Sequence, residues 1–339
     1  MKIFKVFHIL IAAAIFTSSC NPYKIDIPHW DYEDKDNTEI PSAVVYPESG
    51  GKKEQTLQTT GVFRETVISK GLVHYHFSGT DEVTGAAQNV NVLEVDLDNE
   101  DYKVTFTYVN PRDTVSSVAK KNGALAAING AYELEAVYCR VNGFNISEVT
   151  LAPGHLRFWK HNAAVVCDGG RKVGIINGGS DGTKSIELYK SLPEKNIYAS
   201  APMLIDDFKP VGESFVPSYL TPSDLSQLDG EDYRRHQGVR HPRTAVALTA
   251  DNDLLLIIVD GRAKGKAEGM SAKELTKFIA KHFNPRWAIN MDGGGSSTMY
   301  IKGYGSEVNN VLNYPTDNDR YDHFGQRLLS THILIQSTK

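Results

Sequence analysis

The stretch Asn290-Met291-Asp292-Gly293-Gly294-Gly295-Ser296-Ser297-Thr298, directly after the apolar run Trp287-Ala288-Ile289, limits what the chain can build around it. The apolar run reads as a short buried strand, so Asp292 falls where the chain leaves the core and meets solvent or a ligand. Successive glycines permit positive φ angles and leave no side chains in the way of an approaching group. Backbone N–H groups in such a turn, with hydroxyls behind them, can form a concave anion site. An ordinary hairpin turn needs less. Asp168-Gly169-Gly170, between Ala163-Ala164-Val165-Val166 and Val173-Gly174-Ile175-Ile176, reads as one. Only the added Gly-Ser-Ser-Thr sets the later copy apart.

The surrounding pattern is mostly strands. Leu72 to Phe77 alternates, Val90 to Leu97 and Tyr102 to Val109 flank a turn, and Leu125 to Ile128 ends at Asn129-Gly130. His74 and His76 share one strand face, a spacing compatible with metal ligands, and read as solvated strand histidines. Residues 176–237 contain few clear elements and read as loops over a surface. Thr244 to Leu248 and Leu254 to Val259 form a strand pair ending in Asp260-Gly261-Arg262. Ser271-Ala272-Lys273-Glu274 is a capping-box pattern, and Leu275, Phe278, Ile279 and His282 repeat at helical spacing, predicting a helix to Phe283 packed on a sheet. Leu328 to Gln336 reads as a closing strand. The expected fold is α+β: a mixed, largely antiparallel sheet with few packed helices and one main catalytic domain.

Two apolar strands thus end in Asp-Gly, at Asp260 and Asp292. If those strands are neighbours, the carboxylates converge at one sheet edge. Arg243 precedes one strand of the pair and Arg262 follows the other. Arginine forks match phosphate oxygens, so an anionic substrate fits, with a structural ion pair as the alternative for each.

The chain has 339 residues, enough for one large domain with an accessory layer, and a formal charge of −5 that becomes −7 without Lys2 and Lys5. That balance argues against nucleic acid as a partner, because phosphate-backbone binding relies on clustered Lys and Arg. Lys2 and Lys5 precede an apolar stretch, Phe7 to Phe16, that is short for a membrane span. Thr17-Ser18-Ser19-Cys20 then resembles a bacterial lipoprotein signal, which would make 1–20 a leader and Cys20 the lipidated residue. The expected location is the cell envelope, with the membrane reached through the lipid. Residues 21–62 are polar and charged and read as a tether. Cys139 and Cys167 would then lie in an oxidising compartment, either bridged or as buried free thiols.

Asn129-Gly130, His241-Pro242-Arg243-Thr244-Ala245-Val246, Val259-Asp260-Gly261-Arg262, Gly269-Met270-Ser271 and the Asn290 to Thr298 stretch occur in the order seen in the phosphodiester glycosidase domain, which the chain resembles over roughly residues 115 to 337. Residues 63–114 then form an N-terminal β-rich part, and 115–339 the glycosidase domain. Two departures stand out: Asn129-Gly130-Ala131-Tyr132 replaces a more usual glycine and aromatic pair, and Gln326 precedes Arg327 where an acidic residue is expected.

The resemblance implies hydrolysis of the sugar C1–oxygen bond in a glycosyl phosphodiester, giving free sugar and a phosphomonoester. It implies that Asp292 and Asp260 stabilise or attack the oxocarbenium-like centre, and that Asn129 orients a sugar hydroxyl or a carboxylate. Arg243 and Arg262, with Thr244, Gly293, Gly294, Gly295, Ser296, Ser297 and Thr298, would hold the phosphate. No cofactor is called for. Two other classes compete: a lipid-anchored glycan-binding protein without turnover, using Tyr132, Trp159 or Tyr300 if exposed, and a metal-dependent phosphodiesterase, for which a compact His/Asp ligand motif is lacking.

Overall fold

The computed structural model describes residues 41–48 and 62–339. Three antiparallel sheets carry the fold. In the seven-stranded sheet, Arg243–Leu248 lies between Asp253–Val259 and Trp287–Asn290. Beyond Asp253–Val259 the sheet continues through Ala86–Asp96, Leu72–Asp81 and Arg64–Ser69, and Met203–Ile205 closes the other edge. A five-stranded sheet runs Phe144–Glu148, Tyr138–Val141, Asn196–Ser200, Ala163–Cys167, Val173–Asn177. The four-stranded sheet runs Met299–Ile301, Ala126–Asn129, Leu329–Ser337, Tyr102–Asp113.

The period-two alternation of a strand explains the layering. From the central strands, Ala245, Ala247, Ile257 and Val259 face the helix Ala272–Phe283 and meet its Leu275, Phe278 and Ile279. The alternate residues Val246, Leu256 and Ile258 join the main core shared with the other two sheets. Strands covered on both faces read as unbroken apolar runs, as these do. On the outside of the four-stranded sheet, the helix Val115–Lys121 packs Val115, Val118 and Ala119 against Ala127, Tyr300 and Leu334.

The expected helix entry forms a reciprocal capping box: the Glu274 N–H donates to Ser271 Oγ and the Ser271 N–H to the Glu274 carboxylate. Asn284, at φ +42°, ends the helix in the left-handed region, where asparagine is among the better-tolerated residues. Asp168-Gly169-Gly170 joins two antiparallel strands, as expected of an ordinary hairpin turn.

Three expectations need correcting. Leader residues 1–20, with Cys20, and most of the 21–62 tether lie outside the described residues, but residues 41–48 dock on the domain. Val44 packs against the main core and lies against Gly174, Tyr46 donates a hydrogen bond of 2.6 Å to Glu194, and Lys172 sits 4.2 Å from the Tyr46 ring centroid. The apolar Val44-Val45-Tyr46, embedded in a polar stretch, is what allows this contact. Residues 176–237 hold Asn196–Ser200, the centre of the five-stranded sheet, besides short helices. His74 is buried, not solvated.

Strands from residues 63–114 pair with Asp253–Val259 and Leu329–Ser337, so this part is woven into the sheets of the later sequence. Cys139 and Cys167 are free and buried, and burial pushes both thiols up to about 12. Neither thiol should therefore react with Ellman's reagent until the chain is denatured, and a reducing agent should leave the melting temperature unchanged.

Candidate active site

The strands Asp253–Val259 and Trp287–Asn290 both run antiparallel to Arg243–Leu248, so they are parallel to each other and end at the same end of the sheet. Their Asp-Gly ends flank the start of the central strand, two strand spacings or roughly 10 Å apart. The carboxylates do not share a hydrogen-bond group. Asp260 is buried and accepts from Asn89 Nδ2 at 2.6 Å, Asn313 Nδ2 at 2.9 Å and the Tyr314 N–H at 3.1 Å. Burial raises it to about 6 against the pull of those donors. With every neighbour a donor from the protein itself, Asp260 ties the 309–326 loop to the sheet.

Asp292 is only half-buried and faces a different set of groups. Burial, then the neighbouring Glu133 charge, push its carboxyl up to about 7, against a hydrogen bond from Ser296 and the nearby Lys160 and Arg327 cations. Glu133 goes the other way: burial would raise it, but the Lys160 ammonium, 2.8 Å away, holds it below the usual range. Lys160 is fully buried, reaches Glu231 at 3.2 Å and sits 4.6 Å from the Tyr132 ring centroid. A carboxylate pair whose environments separate their proton affinities is the pattern of an acid–base site.

The glycine turn is built around arginines. Gly294 has φ +61°, and the Arg262 guanidinium lies over it, 3.0 Å from where a Cβ would stand. A Cβ on Gly295 would fall 2.5 Å from Asp317 and 2.8 Å from Arg327, so a bare backbone is what lets that ion pair seat. Arg327 also donates to Ser296 Oγ at 3.2 Å. Arg262 is itself at φ +61°, exposed, and has no hydrogen bond among the described residues. Its nearness to Arg327 makes a two-cation rim beside Asp292.

Other expected site residues are spent on architecture. Arg243 is buried, with Nε on Met270 O at 2.8 Å, Nη1 on Gln237 Oε1 at 2.8 Å, and Nη2 on the carbonyls of His236 and Val239. No fork remains for a phosphate. Asn129 donates to the Asp292 carbonyl at 2.7 Å and accepts from the Thr298 N–H at 3.2 Å, while Thr244 Oγ1 lies 2.9 Å from Asn129 Oδ1 and 3.1 Å from Ser297 Oγ. Asn129 thus orients the strand end that carries Asp292 rather than a sugar hydroxyl. The N–H groups of Gly294, Ser296, Ser297 and Thr298 bond within the chain, so these four are not turned to an anion. Gly293 lies against the Pro242 carbonyl. Tyr132, Trp159 and Tyr300 are core residues.

Glu133, Lys160 and Arg327 are the site residues that sequence reasoning missed. Glu133 follows the strand end Asn129-Gly130 by three residues, which was a usable signal, but nothing local marks Lys160. At Gln326, where an acidic residue was expected, the amide accepts from the Ser116 N–H and donates to Ser116 Oγ, a double role that a carboxylate cannot fill.

Residues 122–336 match the phosphodiester glycosidase family, and the chain belongs to it. The catalytic domain of zebrafish N-acetylglucosamine-1-phosphodiester alpha-N-acetylglucosaminidase, auto-inhibited by its pro-peptide, shares the fold at a TM-score of 0.53 and 19% identity, over 86% of this chain and 88% of that one. A hypothetical protein from Synechocystis aligns at a TM-score of 0.49 and 12% identity, over 80% of this chain and 63% of that one. No curated protein matches the chain.

Replacing Arg243 by lysine keeps a charge but abandons most of these acceptors in a buried setting. Arg243→Lys should lower stability by about 2 to 4 kcal/mol in denaturant unfolding, an effect larger than that of Arg262→Lys, which is exposed.

Proposed function

We propose that the protein is a hydrolase that cleaves the sugar C1–oxygen bond of a glycosyl phosphodiester, releasing free sugar and a phosphomonoester. The observation that carries this reading is the split carboxylate pair Asp292 and Glu133 beside the Arg262 and Arg327 rim. A phosphate leaving group is already acidic, so the greater need is for a base that takes the proton of the attacking water. Asp292 suits that task, since a carboxylate raised to about 7 is a stronger base than an ordinary one. Glu133, kept ionised by Lys160, stabilises positive charge at C1. Arg262 and Arg327 take the phosphate oxygens as charge builds on them, with Arg327 held in place by Asp317. Water adds to C1, the C1–O bond breaks toward phosphate, and the water proton passes to Asp292.

This assignment moves the second carboxylate from Asp260 to Glu133 and the phosphate from Arg243 to Arg327. Anchoring through Cys20 to the cell envelope, which would set the domain outside the cytoplasm, is proposed on the sequence signal alone.

Because the base must be ionised, kcat/KM on a glycosyl phosphodiester should rise with pH through about 7, the value to which Asp292 is raised. Glu133→Gln removes a charge that raises Asp292, so the limb should move to lower pH in whatever activity remains. Asp292→Asn should lose about a thousandfold or more in kcat while keeping or raising the melting temperature, since a half-buried charge is removed. A rate that instead falls through pH 7 would give Asp292 the role of acid. The Arg262→Ala variant should lose activity on the diester far more than on a neutral aryl glycoside of the same sugar, as read by the two kcat/KM ratios.

A further inference from the structure

The partners of Asp260 open onto a second feature. Asn89 and Tyr314 line an open cleft of about 750 Å³ between the strands Leu72–Asp81 and Ala86–Asp96 and the loop 304–323. A smaller cavity of about 330 Å³ meets it at Lys266 and Tyr321, which line both, and has Arg262 in its wall. The two make a groove that leads from the strand face bearing His74 and His76 to the phosphate rim.

Three properties of this groove point to one kind of occupant. It gathers Arg64, Lys264, Lys266, Arg262 and Arg320 against Asp319 in a chain whose net charge is −5, so the positive potential is local. Its wall carries a ring stack: Tyr321 on Tyr314 at 4.1 Å and 15°, with His323 on Tyr314 at 4.4 Å. Flat rings with polar edges suit sugar faces. Its floor holds two buried polar atoms with no hydrogen-bond partner among the described residues, Asn91 Nδ2 and Thr316 Oγ1, in residues 2% and 4% exposed. Such atoms cost stability unless something bonds them. Meanwhile the other floor groups are fixed, with His74 Nε2 3.0 Å from Asn91 Oδ1 and His76 Nε2 2.8 Å from Asn89 Oδ1.

We propose that this groove is a binding site for an anionic oligosaccharide, the alcohol-side arm of the phosphodiester substrate. Calling the arm part of the substrate rests on the hydrolase reading; binding in the groove does not. Much of the floor comes from residues 64–91, which lie outside the 122–336 family match.

The test is titration calorimetry of wild type, Lys266→Ala and Tyr321→Ser with maltopentaose 6-phosphate, a sulfated maltopentaose and neutral maltopentaose. Melting curves confirm that the variants are folded. Wild type should bind at least one anionic probe at least tenfold more tightly than the neutral one, and each variant should lose at least tenfold for that probe. A preference for phosphate over sulfate would identify the anionic group. Equal binding by wild type and variants, equal binding of charged and neutral probes, or no binding at millimolar probe would overturn the proposal. Hydrolysis of a methyl N-acetylglucosaminyl phosphodiester, which lacks an arm, is assayed alongside. Turnover without probe binding would remove the groove and keep the hydrolase, whereas probe binding without turnover would do the reverse.

Discussion

A buried guanidinium that meets only neutral acceptors organises the site end of this protein. Arg243 draws together the carbonyls at the end of the helix Tyr233–Gly238 and the Met270 carbonyl just ahead of the helix Ala272–Phe283. Through Gln237 the network continues to the Tyr132 hydroxyl at 3.1 Å, and from there to Asn290 Nδ2 at 2.9 Å, in the strand that ends at Asp292. The face of the Tyr132 ring in turn supports Lys160. Dispersing the charge over several carbonyl dipoles does for Arg243 what water does in solution, and a cation so held has no reason to leave.

The two aspartates at the sheet end illustrate how a shared sequence pattern can serve opposite ends. Both follow an apolar strand and precede glycine. Asp260 is surrounded by amide donors and binds a loop, while Asp292 has a second carboxylate for a neighbour and is left partly open. What separates them is what packs on each, which comes from Asn89 and Asn313 in one case and from Glu133 and Lys160 in the other. Those four residues are distant in sequence from the aspartates they affect.

This is also why the fold was more legible than the site. The apolar runs in Thr244 to Val259 and the capping box at Ser271 are local, and local patterns survive in sequence. The strand Asn196–Ser200 has only Ile197-Tyr198-Ala199 as an apolar run, too short between Pro193 and Pro202 to stand out from the loops around it. Arg243 sits in a motif with Thr244 and invites a functional reading, yet its burial depends on the helix Tyr233–Gly238 folding back over it. Arg327 had the opposite problem: it stands 35 residues beyond Asp292 in the chain and comes close only because the loop through Asp317 returns it to the glycine turn.

The docking of residues 41–48 changes what an attachment at Cys20 would permit. A leash that ran to residue 62 would let the catalytic domain roam widely from its bilayer. With Tyr46 clamped to Glu194 and stacked beneath Lys172, the docked segment begins at Pro41, and the roughly 20 residues between it and Cys20 could cover at most about 70 Å. Were Cys20 lipidated, the docked segment would set both the largest radius of the shell open to the domain and the side turned toward that shell.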